Sequence, residues 1–246
     1  MDAGFWHEKW RQGQIGFHAS RPQDLLVEHV AALHAEASRH ARDPAAMGIY
    51  VPLCGKSLDL HFLRGAGFAE VIGTELSPLA VESFFAESGL APKVREHEGW
   101  REYVVPAGAK PTTGPMFGKA ETVCALRMIQ GDIFTLPAGA IPRCDAVYDR
   151  AALVAMDPSR RERYVAHLRA LVHPTAPLFL MAFSYDTGRM AGPPFSVDES
   201  VVNACFPAPA RPERLATREL IDTEPRFRER GLDSIREDAW LIRRGG

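Results

Sequence analysis

The chain has 246 residues, 46% of them hydrophobic and 24% charged, which is typical of one globular domain and excludes a disordered polymer. The formal net charge of −2 argues against nucleic acid as the main partner, because phosphate binding requires an excess of basic residues. The four cysteines have no metal-ligand spacing, so we expect free thiols, a reducing cytoplasmic environment and no bound metal.

The N-terminal segment, MDAGFWHEKWRQGQ, contains acidic residues and no apolar core run, so we expect no signal peptide. No apolar run elsewhere reaches the length of a membrane-spanning helix, and we expect no membrane contact. The sequence therefore predicts a single-domain cytoplasmic monomer over residues 1–246. Within it, residues 1–46 are expected to form an N-terminal lid and a helix packed on the domain.

The first 22 residues are polar and rich in aromatic side chains, including Trp10 and Phe17. A segment of this composition can fold over a ligand as a lid. In residues 23–40, apolar side chains recur at helical spacing, which predicts an amphipathic helix with Asp24 as its cap.

From residue 48 onward, apolar runs rich in β-formers alternate with helical patterns. This order implies βαβ units, and hence a parallel sheet with right-handed crossovers. The predicted elements are a strand at 48–53, a helix at 58–66 capped by Ser57, a strand at 69–76, a helix opened by Ser77-Pro78 and ended by Gly89, strands at 122–130 and 145–148, a helix at 158–171, and strands at 177–183 and 239–242.

Two stretches, 105–118 and 186–214, are rich in Pro and Gly. We expect the first to be a surface loop within the domain, since the strand pattern continues on both sides of it. The second is expected to be a connection near the active face.

A glycine turn, Cys54-Gly55-Lys56, follows the first predicted strand, and Glu75 ends the second, 20 residues after Gly55. A carboxylate at about this distance from a glycine turn is the arrangement that binds ribose hydroxyls of an adenosine ligand. The single glycine, in place of a GxGxxG pattern, fits an adenosine ligand without phosphates, such as S-adenosylmethionine. The alternative is an ordinary strand–turn–helix in which Glu75 is a solvated charge.

Two further polar positions follow predicted strands. Asp132, in Gly131-Asp132-Ile133-Phe134, either accepts a hydrogen bond from an adenine amino group or caps a turn. Asp149 and Arg150 end another strand, where ligands bind in such sheets, although a pair of this kind can also be purely structural.

Several sequence blocks, taken together in order and spacing, are similar to those of the thiopurine S-methyltransferase family. The match spans essentially the whole chain, and the short N-terminal part resembles the bacterial branch. The segment between residues 96 and 121 departs from the family by being longer. The blocks are FWHEKW and IGFH within 5–18, VPLCGKSLDL at 51–60, GTELS at 73–77, GDIF at 131–134, YDRAALVAM at 148–156, and FSYD and GPPF within 183–195.

The resemblance implies a Rossmann-like α/β fold of the class I S-adenosylmethionine-dependent methyltransferases. Its sheet is expected to have seven strands, mostly parallel, with an antiparallel C-terminal strand. The resemblance also implies that S-adenosylmethionine contacts Trp10, Leu53, Glu75, Asp132, Ile133 and Arg150, and that the methyl acceptor contacts Phe17 and Arg226.

The implied reaction is methyl transfer to the sulfur of thiopurines or other aromatic or heterocyclic thiols, and to selenium or tellurium compounds, with a role in metalloid detoxification. Catalysis would come from holding the two reactants in line, with Arg150 favouring the thiolate. No residue is assigned as a catalytic base.

Three alternatives remain open at this point. One is a methyltransferase of the same fold with a metalloid, halide or nitrogen acceptor, since fold does not fix function. Another is an NAD-dependent oxidoreductase, which the missing GxGxxG pattern disfavours. The third is a non-catalytic module that binds an adenosine ligand.

Overall fold

The computed structural model describes residues 3–113, 123–137 and 139–244. Among the helices in these ranges, none is long and apolar enough to cross a membrane. Short 3-10 turns lie at Pro44–Ala46, Leu153–Ala155 and Pro158–Arg160. The α-helices are α1 (Ala3–Arg11), α2 (Asp24–His40), α3 (Asp59–Leu63), α4 (Pro78–Ser88), α5 (Arg161–Leu171), α6 (Glu199–Cys205) and α7 (Arg226–Glu229).

The strands of the described residues join in one sheet. They are β1 (Gly48–Val51), β2 (Glu70–Glu75), β3 (Lys93–His97), β4 (Trp100–Val105), β5 (Ala125–Gln130), β6 (Ala146–Arg150), β7 (Leu178–Ser184), β8 (Arg211–Glu219) and β9 (Arg236–Arg243). Their order across the sheet is β3-β4-β5-β2-β1-β6-β7-β9-β8.

The centre of the sheet is parallel and buried on both faces. Strands β5, β2, β1, β6 and β7 run in the same direction. Along β1, Ile49 and Val51 belong to one apolar cluster and Tyr50 to another. Since neighbouring residues of a strand point to opposite faces, the two clusters lie on the two sides of the sheet.

The C-terminal strands complete the predicted topology. β9 pairs antiparallel with β7, and β8 pairs antiparallel with β9, so β8 points in the same direction as the parallel strands. Among the described residues, the seven strands from β5 to β8 across the sheet therefore form a mostly parallel sheet with one reversed C-terminal strand. This confirms the predicted Rossmann-like fold class.

The expected number of strands, seven, is wrong for the described residues, because the β3–β4 hairpin extends the sheet beyond β5. β3, with the sequence KVREH, is exposed along its whole length. An exposed edge strand needs no apolar run, so the sequence carried no signal for it. Residues 106–113 form a loop. The rest of the predicted loop at 105–118, and Thr122 of the predicted strand at 122–130, lie outside the described residues.

The helix signals around α4 are confirmed. The Ser77 hydroxyl accepts a hydrogen bond from the backbone N–H of Ala80, Pro78 is the first helical residue, and Gly89 ends the helix in the left-handed region with φ of 62°. Glycine is suited to this position because it has no Cβ to clash there.

Two other caps differ from prediction. The cap of α2 is Gln23, whose side chain accepts from the backbone N–H of Asp24, so Asp24 is already helical. α3 is shorter than the predicted 58–66. The Ser57 hydroxyl accepts from the backbone N–H of Asp59 at 3.2 Å, but Leu58 is the residue that precedes the helix.

The stretch at 186–214 contains more regular structure than predicted. It includes α6 and the start of β8, an edge strand in which charged residues dominate. The assignment of residues 1–246 to one domain, with residues 1–46 as its lid and helix, stays a prediction.

Candidate active site

A cavity of about 360 Å³ opens at the carboxyl ends of the parallel strands. Ligands bind at this edge in open α/β sheets. Residues that directly follow β1, β2 and β6 form part of the cavity wall, and residues of α1, β7, α7 and β9 form the rest.

Glu75, the last residue of β2, is a buried carboxyl in this wall, with 6% of its surface exposed. Its Oε2 accepts from the backbone N–H of Gly55 at 2.8 Å, and its Oε1 accepts from that of Ser77 at 2.7 Å. Burial raises the pKa of Glu75, and the backbone N–H donors act in the opposite direction. Each carboxylate oxygen has a second lone pair, so Glu75 can also accept hydrogen bonds from a pair of hydroxyls.

The turn after β1 is held in an unusual backbone conformation. Leu53 and Gly55 both lie in the left-handed region, with φ of 48° and 54°. For a leucine this conformation costs roughly 1–2 kcal/mol. A Cβ on Gly55 would lie 3.3 Å from Cζ2 of Trp10, so the glycine permits the indole to approach the turn closely.

The N-terminal segment covers the cavity with aromatic side chains. Trp10 in α1 is 7% exposed and lines the cavity. The ring of Phe17 lies edge to face with those of Trp6 and Trp10, at centroid distances of 5.8 and 5.7 Å. We name residues 3–18 the aromatic lid.

Arg150, the last residue of β6, lies at the middle of the cavity wall. Its Nη1 donates to Oδ2 of Asp59 and its Nη2 donates to the backbone carbonyl of Phe17, both at 3.4 Å. Asp59 also accepts from the Tyr148 hydroxyl at 3.0 Å and from the backbone N–H of Gln23 at 2.7 Å. Burial acts to lower the pKa of Arg150, but nearby acidic groups, first of all Asp59, outweigh it and raise the pKa.

The preceding residue, Asp149, fixes the turn that carries Arg150. Its carboxylate accepts from the backbone N–H of Leu153 at 3.0 Å and from the Tyr164 hydroxyl at 2.7 Å. Ala151 in this turn has a φ of 61°, a strained conformation for a residue with a Cβ. Burial raises the pKa of Asp149 to about 6.

The wall beyond Arg150 is formed by β7, β9 and α7. The rings of Phe183 and Phe227 are 5.9 Å apart. Nη1 of Arg230 donates to the carbonyl of Pro193 at 3.0 Å, and Arg226 pairs with Glu224 at 3.0 Å. This end therefore combines flat apolar surfaces with guanidinium groups.

The strand order fixes the length of the cavity. Glu75 ends β2 and Glu237 is near the start of β9, and both line the cavity. β2 and β9 are separated by β1, β6 and β7, which corresponds to roughly 19 Å at the usual spacing of strands. Arg150 on β6 is two strands from each end. We call the two parts of the cavity the Glu75 end and the Glu237 end.

Six of the eight residues predicted for the site lie in the wall of this one cavity. The six are Trp10, Phe17, Leu53, Glu75, Arg150 and Arg226.

Asp132 and Ile133 are not among the residues that line the cavity. The Asp132 carboxylate accepts from the backbone N–H of Phe134 at 2.9 Å, so it caps a turn, and Ile133 is 2% exposed within an apolar cluster. Their loop nevertheless begins beside the Glu75 end, because the backbone N–H of Gly131 donates to the carbonyl of Glu75 at 2.8 Å.

Sequence reasoning did not single out several polar residues of the wall. Asp59 and Tyr148 lay within the quoted family blocks, but no pattern linked them to Arg150. Glu237 had a weaker signal still, since it lies between Arg236 and Asp238, just before the apolar run of the final strand. The cavity residues that were not assigned include His18, Asp59, Tyr148, Phe183, Arg230 and Glu237.

Within residues 3–113, 123–137 and 139–244, no group of three or more His, Cys, Asp or Glu side chains is arranged to hold a metal ion.

Comparison of the sequence with known proteins identifies its relatives. The profile of the thiopurine S-methyltransferase family matches residues 1–245. A thiopurine S-methyltransferase from Pseudomonas paraeruginosa is 36% identical over 245 residues, which cover 100% of both chains. Another, from Xanthomonas campestris pv. campestris, is 38% identical over 244 residues, covering 99% of this chain and 100% of the relative.

Solved structures support the fold. A protein studied for the conversion of a disulfide bond into a thioacetal group during echinomycin biosynthesis superposes with a TM-score of 0.60 at 16% identity, covering 99% of this chain and 92% of that one. An arsenic(III) S-adenosylmethionine methyltransferase from Chlamydomonas reinhardtii superposes with a TM-score of 0.52 at 12% identity, covering 87% and 73%.

The matches extend over essentially the whole chain, and the fold agrees with them. They confirm the predicted enzyme class, a methyltransferase that uses S-adenosylmethionine. The chain belongs to the thiopurine S-methyltransferase family.

Proposed function

We propose that this protein transfers the methyl group of S-adenosylmethionine to the sulfur of a thiopurine or another aromatic or heterocyclic thiol. The observation that supports this best is the position of Arg150 between two chemically different ends of one cavity. The Glu75 end has the acceptors for a ribose, and the Glu237 end has the apolar and cationic surface for an aromatic thiol.

The Glu75 end fits S-adenosylmethionine in two respects. The buried carboxylate of Glu75 is suited to two adjacent hydroxyls, and Gly55 leaves room that a Cβ would fill. Trp10 lies against the same turn, and an aromatic face attracts a cation such as a sulfonium. We assign Trp10, Leu53, Glu75 and Arg150 to the cofactor, with the loop of Asp132 and Ile133 beside the adenine.

We assign Phe17 of the aromatic lid, and Arg226 at the Glu237 end, to the acceptor. S-adenosylmethionine supplies an activated methyl group on a sulfonium, which is already a good leaving group. The chain's residues therefore need to align the acceptor sulfur and exclude water. Arg150 favours an ionised sulfur through its positive charge, and the aromatic lid closes the cavity over the reactants.

We extend the proposal to selenium and tellurium acceptors and to metalloid detoxification, because their anions resemble thiolates as polarizable nucleophiles. We also propose that the protein acts as a cytoplasmic monomer. Its four free thiols suit a reducing compartment.

The test is a methyl-transfer assay on purified protein with labelled S-adenosylmethionine, with 6-mercaptopurine and selenite offered in parallel. We expect S-methylated mercaptopurine as a product, and the ratio of the two rates measures the preference for sulfur. Cofactor binding by calorimetry without transfer to either acceptor would contradict the proposed acceptor class.

A further inference from the structure

Glu237 is a buried carboxyl of the cavity wall to which the proposed function assigns no role. It lies in β9, is 5% exposed and pairs in register with Phe183 of β7. A buried carboxyl is costly unless it is compensated, so its presence in a ligand cavity calls for a chemical reason.

The sheet register puts Glu237 on the same face as Arg150. Arg150 pairs with Met181, and Phe183, two residues further along β7, pairs with Glu237. Residues two apart in a strand share a face, so the two charged side chains flank Met181 and Phe183 in one wall. All four line the cavity.

Glu237 differs from Asp59, the other carboxyl near Arg150, in the hydrogen bonds that it accepts. Asp59 is occupied, because it accepts from Gln23, Tyr148 and Arg150. Within the described residues, Glu237 accepts one side-chain hydrogen bond, from Nε2 of Gln23 to Oε1 at 2.6 Å. Its Oε2 is therefore available to a ligand.

The surroundings adjust the acidity of this carboxyl. Burial raises the pKa of Glu237 to about 7. Arg150 of β6, the Gln23 amide and Arg218 of β8 act to lower the pKa, and Glu224 near α7 acts to raise it. A proton acceptor works best when its pKa lies near the working pH.

We infer that Glu237 is the general base that removes the proton of the acceptor thiol, an inference that rests on the proposed function. The S–H bond breaks, its electron pair stays on sulfur and the proton moves to Glu237. The sulfur then forms a bond to the methyl carbon while the bond from that carbon to the donor sulfur breaks, and the electron pair leaves with the donor sulfur. The product is a thioether, and Glu237 later returns the proton to solvent.

His18 of the aromatic lid is the rival base in the described part of the cavity. Burial, and then Lys56, lower the pKa of His18. A less basic imidazole is a poorer proton acceptor near neutral pH, so the inference favours Glu237.

The test compares acceptors that differ in acidity. A nitro-substituted thiophenol is ionised at neutral pH and needs no base, whereas benzyl thiol is protonated. For E237Q we expect kcat/KM to fall about 100-fold with benzyl thiol, and by no more than about threefold with the nitrothiophenol. With benzyl thiol, the wild-type kcat/KM should fall as the pH drops through about 7, because the base must be ionised. In E237Q, this fall in kcat/KM near pH 7 should disappear from the pH profile.

A second measurement does not depend on turnover. With S-adenosylhomocysteine bound, a weakly acidic aromatic thiol should show its thiolate absorbance band at neutral pH in the wild type, and this band should weaken in E237Q. H18Q is the matched control and should affect both acceptors alike.

The outcomes are distinguishable. The inference is overturned if E237Q loses kcat/KM equally with both acceptors, or loses none. It is also overturned if H18Q, and not E237Q, loses kcat/KM with benzyl thiol alone. If wild type methylates neither thiol while it binds the cofactor, the proposed function itself fails.

Discussion

The two ends of the cavity hold a buried carboxyl in different ways. At the Glu75 end, both carboxylate oxygens accept from backbone N–H groups of turns that directly follow β1 and β2. At the Glu237 end, the carboxyl accepts from the side chain of Gln23, which is 214 residues away in the chain. One end is fixed by backbone geometry and the other by packing of distant side chains.

Under the proposed function, this difference separates two tasks. A site fixed by the backbone of neighbouring strands keeps its shape when surrounding side chains change, which suits a cofactor that is always the same. A site fixed by side chains from the lid, β7, α7 and β9 can change with single substitutions, which suits variation of the acceptor. Three substitutions test this comparison, and we describe them from the largest expected effect to the smallest.

The largest effect is expected for E75Q. The amide removes the negative charge and puts an N–H donor where the proposed ribose contact needs acceptors, so the affinity for S-adenosylhomocysteine should fall about 100-fold. Calorimetry measures this Kd. E82Q, which removes the same charge from an exposed position of α4, is the control and should leave the Kd unchanged. An unchanged Kd in E75Q would show that the Glu75 end does not bind the ribose.

An intermediate effect is expected for R150K, at the junction of the two ends. Lysine keeps the charge, but a single ammonium does not reproduce the guanidinium contacts to Asp59 and to the carbonyl of Phe17. We expect kcat/KM for methyl transfer to fall about tenfold. The Kd for S-adenosylhomocysteine should rise by less than about threefold, because the lysine keeps the positive charge of the residue that we assign to the cofactor. Steady-state kinetics measures kcat/KM, and calorimetry on the same preparation measures the Kd. A loss confined to cofactor binding would assign Arg150 to the Glu75 end alone.

The smallest effect is expected for G16A, in the lid. An added Cβ would lie 2.9 Å from Nη1 of Arg226, so the flexible end of this arginine has to move. Displacing one guanidinium at the Glu237 end should raise the KM for the acceptor about twofold. The corresponding loss of binding free energy is of the size measured for solvent-exposed ion pairs. The Kd for S-adenosylhomocysteine should not change. A raised Kd for S-adenosylhomocysteine with an unchanged KM for the acceptor would mean that the two ends are not independent.

The Glu75 end was the more predictable from sequence. The interval between Gly55 and Glu75 is local in the chain, and the strand–turn–helix pattern predicts that both lie at the same edge of the sheet. Their hydrogen bond agrees with that placement, although the spacing itself predicted only a ribose site. The parallel strands were also predictable, because burial on both faces gives continuous apolar runs.

The Glu237 end and the sheet edges were less predictable. The partnership of Glu237 with Gln23 depends on which segments the fold brings together, and no local pattern encodes that. β3 and β8 are exposed edge strands with charged residues, so neither has an apolar run. Asp132 caps its own turn, which was one of the two interpretations that the sequence left open, and its place beside the adenine stays a proposal.

The composition of the aromatic lid has a practical consequence. Two of the chain's four tryptophans, Trp6 and Trp10, lie in α1 and line the cavity. Trp240, by contrast, is buried in the sheet with 3% of its surface exposed. A ligand that enters the cavity should change the polarity around these two indoles at once and leave the indole of Trp240 in its surroundings. The intrinsic fluorescence of the unlabelled protein therefore reports occupancy of the cavity, which allows binding and release to be followed in real time by stopped-flow mixing.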